Sequence, residues 1–350
     1  MPDPASGPDA AHRAFYAGRR VLVTGGLGFI GSNIARRLAE LGADVLLMDS
    51  LIPDSGANFF NIDGVADRVR VNIADVRQES TMNHLVRDRE VIFNLAGQVS
   101  HIDSMLDPYT DLDINCRSQL SILEACRKFA PTVKVVFAGT RQVYGKPDSL
   151  PVTEDHLVRP TDVNGINKAA GENYHLLYNN VFNVRACSLR LTNVYGPRQL
   201  IKHNRQGFIG WFIRLALEGR EIQIFGDGSQ VRDFVFVEDA VDAFLLAGAS
   251  DSVNGHVFNV GGTEPISHSD LVKLLIDVAR GASMRYVPWP PDKKVIDIGS
   301  FYADSSRFRA AVGWQPRVSL RAGLTRTIAY YRAHLEHYLD EPAPTPSNVA

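Results

Sequence analysis

The chain has 350 residues, of which 45% are apolar and 22% charged; this composition describes a globular protein and excludes a collagen, a coiled coil or a wholly disordered polymer. Its formal charge of -2, from 37 basic and 39 acidic residues, gives no electrostatic reason to expect nucleic acid or an anionic membrane as partner. The cysteines Cys116, Cys126 and Cys187 lack CxxC spacing, so neither a disulfide framework nor a metal site is expected, and a reducing cytoplasm is the default compartment.

Residues 1–17 mix Pro, Asp, Ala and Gly without an apolar run. They read as a mobile tail rather than a signal peptide or membrane anchor. Short β-branched runs then alternate with helical stretches: RRVLVTGG, SNIARRLAELGA, DVLLMDS, RVRVNIADV, EVIFNLAG and VKVVFAGT. Runs apolar on both faces and separated by helices predict an α/β fold, a doubly wound parallel sheet of Rossmann type. Past Tyr195 the rhythm breaks into longer loops with aromatic insertions, and Pro265 to Pro316 carries the turn signals WPPD, GW and QP. This predicts a smaller C-terminal α/β substrate lobe. The run RDFVFVEDAVDAFLLAGA returns to strand then helix and is expected to complete the first lobe. The expected units are 18–192 plus 233–262 for the first domain and 193–232 plus 263–338 for the second lobe. Residues 339–350, rich in proline, read as a second tail.

The end of the first run, Thr24-Gly25-Gly26-Leu27-Gly28-Phe29-Ile30-Gly31, leads directly into a helix. Its spacing differs by one residue from GxGxxG, but the mechanics are shared: positions without a Cβ let the backbone approach a pyrophosphate at a helix N-terminus. Asp49 closes the second run. A carboxylate there accepts hydrogen bonds from both adenosine ribose hydroxyls and repels a 2′-phosphate; Ser50 and Leu51 supply no arginine to reverse that preference. NAD is therefore favoured over NADP.

TGGLGFIG with Asp49, FNLAGQVS, VVFAGTRQVYG, NGINKAAGENY, RLTNVYGPRQ, GDGSQVRDFVFVED and VGWQP occur in this order. Together they resemble the extended short-chain dehydrogenase/reductase family, in its nucleotide-sugar epimerase and dehydratase branch. The resemblance implies that Gly25, Gly28, Phe29, Ile30 and Gly31 cradle the pyrophosphate and Asp49 the ribose. It places Asp75 with Val76 at the adenine edge, Ala96 and Gly97 on the adenosine side, and Lys168 on the nicotinamide ribose. Asn193 and Arg232 match positions that grip the diphosphate of a nucleoside-diphosphate sugar, a task that suits a guanidinium fork. A homodimer is expected, with no nucleic-acid or membrane partner.

The family's catalytic set is a Ser or Thr, matched by Thr140, and a Tyr four residues before a Lys, matched at Lys168. The tyrosine's position holds Asn164, and a carboxamide cannot take up a proton near neutral pH. Related 4,6-dehydratases carry Asp-Glu after the threonine; here those positions are Arg141 and Gln142, which leaves Gln142 as a substrate-binding group. The decarboxylating relatives' glutamate is absent too, so epimerisation fits best. His101, in the loop after FNLAG, is the candidate replacement base because histidine titrates near neutrality. Tyr109 is a weaker candidate, Tyr144 and Tyr195 read as packing residues, and Tyr174 and Tyr178 lie too far along the helix from Asn164.

The expected function is an NAD-dependent epimerase of a nucleoside-diphosphate hexose, working through a transient keto sugar at carbon 4 or carbon 2. The carbon 2 option arises because RQGFIGWF is similar to CDP-tyvelose 2-epimerases. The alternatives are a non-catalytic NAD or sugar-nucleotide binding protein, and a dehydratase or oxidoreductase with altered chemistry.

Overall fold

The structure, a computed structural model, describes residues 8–339; the expectations for residues 1–7 and 340–350 lie outside them. In chain order the first part runs α1 (Pro8–Tyr16), β1 (Arg20–Thr24), α2 (Phe29–Leu41), β2 (Asp44–Asp49), β3 (Val69–Ile73), α3 (Glu79–Leu85), β4 (Val91–Asn94), α4 (His101–Leu106), α5 (Pro108–Leu112), α6 (Ser118–Phe129), β5 (Lys134–Thr140), α7 (Val163–Phe182) and β6 (Arg185–Leu191). The remainder comprises β7 (Asn193–Tyr195), α8 (Phe208–Leu217), β8 (Glu221–Phe225), β9 (Val231–Arg232), β10 (Phe234–Phe236), α9 (Val237–Ala249), β11 (Val257–Val260), β12 (Ile266–Ser267), α10 (His268–Ala279), β13 (Ser283–Val287), α11 (Pro291–Val295), α12 (Ser306–Val312) and α13 (Leu320–His334).

Seven parallel strands form the central sheet in the order β11-β6-β5-β4-β1-β2-β3. Strand order reverses between β1 and β4, and such a reversal opens a crevice beyond the strands' C-terminal ends. Alternate residues of β1 serve opposite layers. Val21 and Val23 join Ile34 and Leu38 of α2 and Phe244 of α9, whereas Leu22 joins Met82 of α3, Ile122 of α6 and Tyr178 of α7. With both faces covered, every position must be apolar, which is why these runs do not alternate.

A second core gathers Ile209 and Ile213 of α8, Ile222 and Ile224 of β8, Leu271 and Leu275 of α10, and Leu324 and Ile328 of α13. Its strands pair two by two: β8 with β13, β9 with β12, and β7 with β10. The last pairing corrects one expectation. Strand β10 joins Asn193–Tyr195 rather than the central sheet, and α9, which follows it, packs on the main core while β11 supplies the seventh strand.

The expected tail at 1–17 is corrected as well, because Pro8–Tyr16 is helical and Tyr16 is fully buried. Composition hid the helical spacing that puts His12, Phe15 and Tyr16 against the domain. The Tyr16 ring meets Phe93 at 6.3 Å and its hydroxyl donates to the Leu245 carbonyl at 2.7 Å. At the other end Leu339, placed in the second tail, closes the short helix Glu336–Leu339.

The buried Tyr16 makes α1 part of the fold's stability. Tyr16→Phe, which removes one buried hydrogen bond, should cost about 1 kcal/mol, and Tyr16→Ala about 3–5 kcal/mol. Urea unfolding of the two variants checks both values.

Candidate functional site

Beyond the C-terminal ends of the central strands lies a cavity of about 490 Å³, bounded by both lobes. At one end it is lined by Gly25, Gly28, Phe29, Ile30 and Gly31, with Asp49, Asp75 and Val76 along one wall and Ala96 and Gly97 on another. His101, Thr140, Asn164 and Lys168 line it further along. The structure thus brings these fourteen positions to one surface.

The glycine turn is closed by contact. Gly25 adopts φ +65°, and a Cβ at Gly31 would stand 2.2 Å from the Gly25 carbonyl oxygen, so any side chain there would push α2 off the turn. Thr24, the last residue of β1, fixes the neighbouring strand end. Its Oγ1 donates to Asn94 Oδ1 at 2.9 Å and accepts from the Leu95 and Ala96 amides, both at 3.1 Å. Asp49 braces the loop by accepting from Leu27 N at 3.1 Å and Leu51 N at 3.0 Å. Burial pushes its carboxyl up and those amides pull it back down; each oxygen keeps a lone pair for a hydroxyl. Asp75 is held below the usual carboxylate range by its hydrogen bonds to Arg77, whose guanidinium lies 2.6 Å away.

At the other end, Asp162 caps α7 by accepting from Gly165 N at 2.7 Å. The same carboxylate accepts from Gln142 Nε2 at 2.7 Å and lies 3.1 Å from His101 Nδ1. Burial raises the Asp162 carboxyl, but His101 and the hydrogen bonds outweigh it and leave it below its ordinary value. In the first turn of α7, Asn164 is buried, and its Nδ2 donates to the Gln98 carbonyl at 2.7 Å and to Asp111 Oδ2 at 3.1 Å. Asp111 collects two more amides, from Asn115 at 3.0 Å and Asn167 at 2.8 Å. Asn115 reaches it from a turn of π-helix at Asp113–Arg117. Lys168 Nζ donates to the Ala138 carbonyl at 3.3 Å. Burial lowers its pKa to about 8, against the pull of Asp111's charge. Thr140 Oγ1 accepts from Gln142 N at 3.2 Å and faces the cavity.

Three residues expected at the substrate are not among the cavity's lining residues. Gln142 is buried with its amide on Asp162, outside the cavity lining, because a carboxylate at hydrogen-bond distance satisfies a buried amide better than an open wall does. Asn193 donates to the Asp233 carbonyl at 2.9 Å, one residue behind the lining Thr192 and Val194. Arg232, also buried, donates to the Val231 carbonyl at 2.9 Å and to the Gly299 carbonyl. Sequence reasoning missed Asp162, Asp111, Gln98 and Asn115. Only Asp162 carried a signal, the helix-capping aspartate ahead of Val163-Asn164-Gly165.

A doubly wound sheet with a glycine turn, a carboxylate ending β2 and a crevice at the strand-order reversal define a dinucleotide-binding protein. The chain belongs to the NAD dependent epimerase/dehydratase family, which it matches over residues 21–261. It is 36% identical to the UDP-glucose 4-epimerase of Mycolicibacterium smegmatis over 89% of this chain and 98% of that one. A solved UDP-glucose 4-epimerase of Thermotoga maritima with UDP-glucose superposes with a TM-score of 0.83 at 31% identity, covering 90% and 99% of the two chains. The Thermus thermophilus UDP-glucose 4-epimerase in complex with NAD gives 0.80 at 30%, again over 90% and 99%. This chain is therefore an NAD-dependent enzyme of the epimerase family, and the Gly25–Gly31 cradle, which a Cβ would fill, fits that cofactor. Among the described residues no cluster of three or more His, Cys, Asp or Glu side chains stands ready for a metal ion, and no helix is long and apolar enough to cross a membrane.

Two expectations follow from the site's charges. Asp49→Ala should narrow the preference for NAD over NADP by removing hydrogen bonds and repulsion together, as read by titration calorimetry with both cofactors. The lysine's folded pKa of about 8 lies below the unfolded value of about 10.4, so the unfolded chain binds more protons between them. Stability without ligand should rise as pH climbs through that window. Lys168→Met should abolish the rise and be more stable than wild type at pH 7, as thermal melts across pH 7–10.5 would show.

Proposed function

We propose that the chain epimerises a nucleoside-diphosphate hexose at carbon 4 through a transient keto sugar, with His101 in the proton-handling role. The observation that carries this reading is the His101–Asp162 contact of 3.1 Å at the cavity wall, beside Thr140, Asn164 and Lys168. The buried carboxylate beside Nδ1 attracts a protonated ring, and in this reading Nε2 is the atom that exchanges a proton with a sugar hydroxyl. Asp162 stabilises the imidazolium that results. Gln142, on the same carboxylate, keeps it from turning away.

Asn164 cannot accept the proton. With its N–H donors committed to Gln98 and Asp111, its Oδ1 is the atom left to orient a hydroxyl. Thr140 Oγ1 completes the clamp, and the buried cation of Lys168 favours negative charge developing on the sugar oxygen. NAD, when bound, supplies a hydride acceptor that can give the hydride back. The glycine cradle, Asp49, Asp75, Val76, Ala96 and Gly97 would hold it, and Arg232 with Asn193 would meet the substrate's diphosphate. Arg141 and Gln142 follow Thr140, and neither shuttles protons near neutrality, so elimination of water is disfavoured. The UDP-glucose 4-epimerase relative supports carbon 4.

The proposal extends to a cytoplasmic homodimer. Free Cys116, Cys126 and Cys187 suit a reducing compartment. Helix α7 exposes Ile166, Leu177 and Val181, and α5 exposes Tyr109, an apolar surface that a second copy would cover.

Incubation with a panel of UDP-, GDP-, CDP- and dTDP-hexoses, followed by NMR of the products, is the test. The expected product is the carbon 4 epimer, of unchanged mass; inversion at carbon 2, loss of water or carbon dioxide, or no turnover with any sugar would each reject the reading. His101→Phe should lower kcat about 100-fold or more, and a variant of full activity would remove His101 from its role.

A further inference from the structure

Arg141 follows Thr140 at the end of β5 and belongs to the central-sheet lobe; Arg232 lies on β9, in the second lobe. The Arg141 guanidinium rests over the Phe301 ring, 5.3 Å from its centre, and its Nη2 donates to Asn193 Oδ1 at 3.4 Å. Its Nη1 is buried without a partner, as are Arg232 Nε and His268 Nε2. Arg232 Nη2 lies 3.7 Å from Asp297 Oδ1, beyond hydrogen-bond length. Three nitrogens from β9, α10 and the turn after β5 are thus buried with hydrogen-bonding capacity unspent, and each carries a desolvation cost until something binds it.

The nearby carboxylates do not discharge this surplus. Asp297 Oδ2 accepts from Gln230 Nε2 at 2.6 Å and Gly299 N at 3.3 Å. Asp233 Oδ2 accepts from Gly262 N at 3.2 Å and Ala303 N at 3.3 Å, and its Oδ1 is buried without a partner. Burial lifts the Asp233 carboxyl to about 6. Burial and the Arg141 charge bring Arg232 to about 9, and burial with both arginines brings His268 to about 3, so its ring is neutral. Thr140, Thr192 and Val194 line the cavity and are chain neighbours of Arg141 and Asn193, which puts the Arg141 end of the cluster next to that wall.

We propose that Arg141 is a substrate-binding residue that joins Arg232 across the lobe boundary in holding one oxyanion of the sugar nucleotide. The chemistry is a phosphate or carboxylate oxygen pair facing guanidinium N–H groups, the geometry in which arginine binds most strongly. Two parts of such a substrate carry it: the diphosphate, or a carboxylate at carbon 6 of a hexuronic acid. This inference rests on the sugar-nucleotide reading above and names a residue which that reading does not use.

Calorimetry on the NAD-loaded enzyme, comparing wild type with Arg141→Gln and Arg141→Lys, separates the cases. The ligands are the UDP, GDP, CDP and dTDP diphosphates, the matching glucose conjugates, and the matching glucuronate conjugates. Arg141→Gln should weaken binding about 10- to 100-fold and Arg141→Lys should recover part of it. A loss already present with the nucleoside diphosphate assigns the oxyanion to the diphosphate; a loss confined to the glucuronates assigns it to the sugar carboxylate. Equal affinity of wild type and Arg141→Gln for every ligand overturns the inference, whereas wild type that binds no ligand of the panel overturns the sugar-nucleotide reading itself. If Arg141→Gln fails to retain NAD, the guanidinium NMR resonances of wild type decide, with Arg141→Lys used for assignment: a shift of the Arg141 signal on ligand addition supports the contact, and an unmoved signal rejects it.

Discussion

The carboxylate of Asp162 is the constraint on which the chemistry of this site depends. It starts α7 by capping Gly165 N, and α7 carries Asn164 and Lys168. Its other oxygen faces His101, which begins α4, and holds Gln142, which follows β5. One side chain therefore ties two helix N-termini and a strand end into a single frame. Because these three elements leave the sheet at different strands, no local feature of any of them sets the distances between their side chains. The shared anion does, and its depressed protonation keeps it available as an anion.

A second feature is the uneven distribution of buried charge. Arg190 is neutralised within the first lobe by Glu172, 2.5 Å away, and its Nη1 donates to the Tyr144 hydroxyl at 2.7 Å, so that pair is complete by itself. Lys168, Arg141 and Arg232 are not matched in this way; burial lowers the pKa of all three. Unmatched buried cations lower stability. They are all found beside the cavity, on its two lobes, where the folded state bears a cost that an anionic or hydroxyl-rich ligand would relieve.

The sheet was legible in the sequence because strands covered on both faces must be apolar at every position, and RVLVT, DVLLMD and VIFN stand out for that reason. The glycine turn was legible because no side chain fits at Gly31. Other features depend on partners distant in sequence. Strand β10 looks like any short apolar run until Asn193–Tyr195 claims it. Helix α1 is hidden by its Pro, Asp and Ala content, and only the burial of Tyr16 against α9 fixes it. Asp111 sits in an unremarkable stretch, and its importance comes from Asn115, Asn164 and Asn167, which converge on it from two segments. Gln142 read as a substrate contact because of its neighbours in sequence, but it answers to a carboxylate twenty positions on.

That convergence bears on what residue 164 can be. Asp111 is almost wholly buried and receives three carboxamide N–H groups, an arrangement that solvates a carboxylate without adding charge. A phenol at position 164 has one O–H in place of two N–H groups, so it could replace only one of the bonds that Asn164 makes to the Gln98 carbonyl and Asp111, leaving the other to Asn115, which donates to both. The asparagine is thus fitted to its surroundings from the π-turn at Asp113–Arg117 to the first turn of α7. The proton-accepting group proposed above therefore comes from a neighbouring element, the start of α4, where His101 stands 3.1 Å from Asp162.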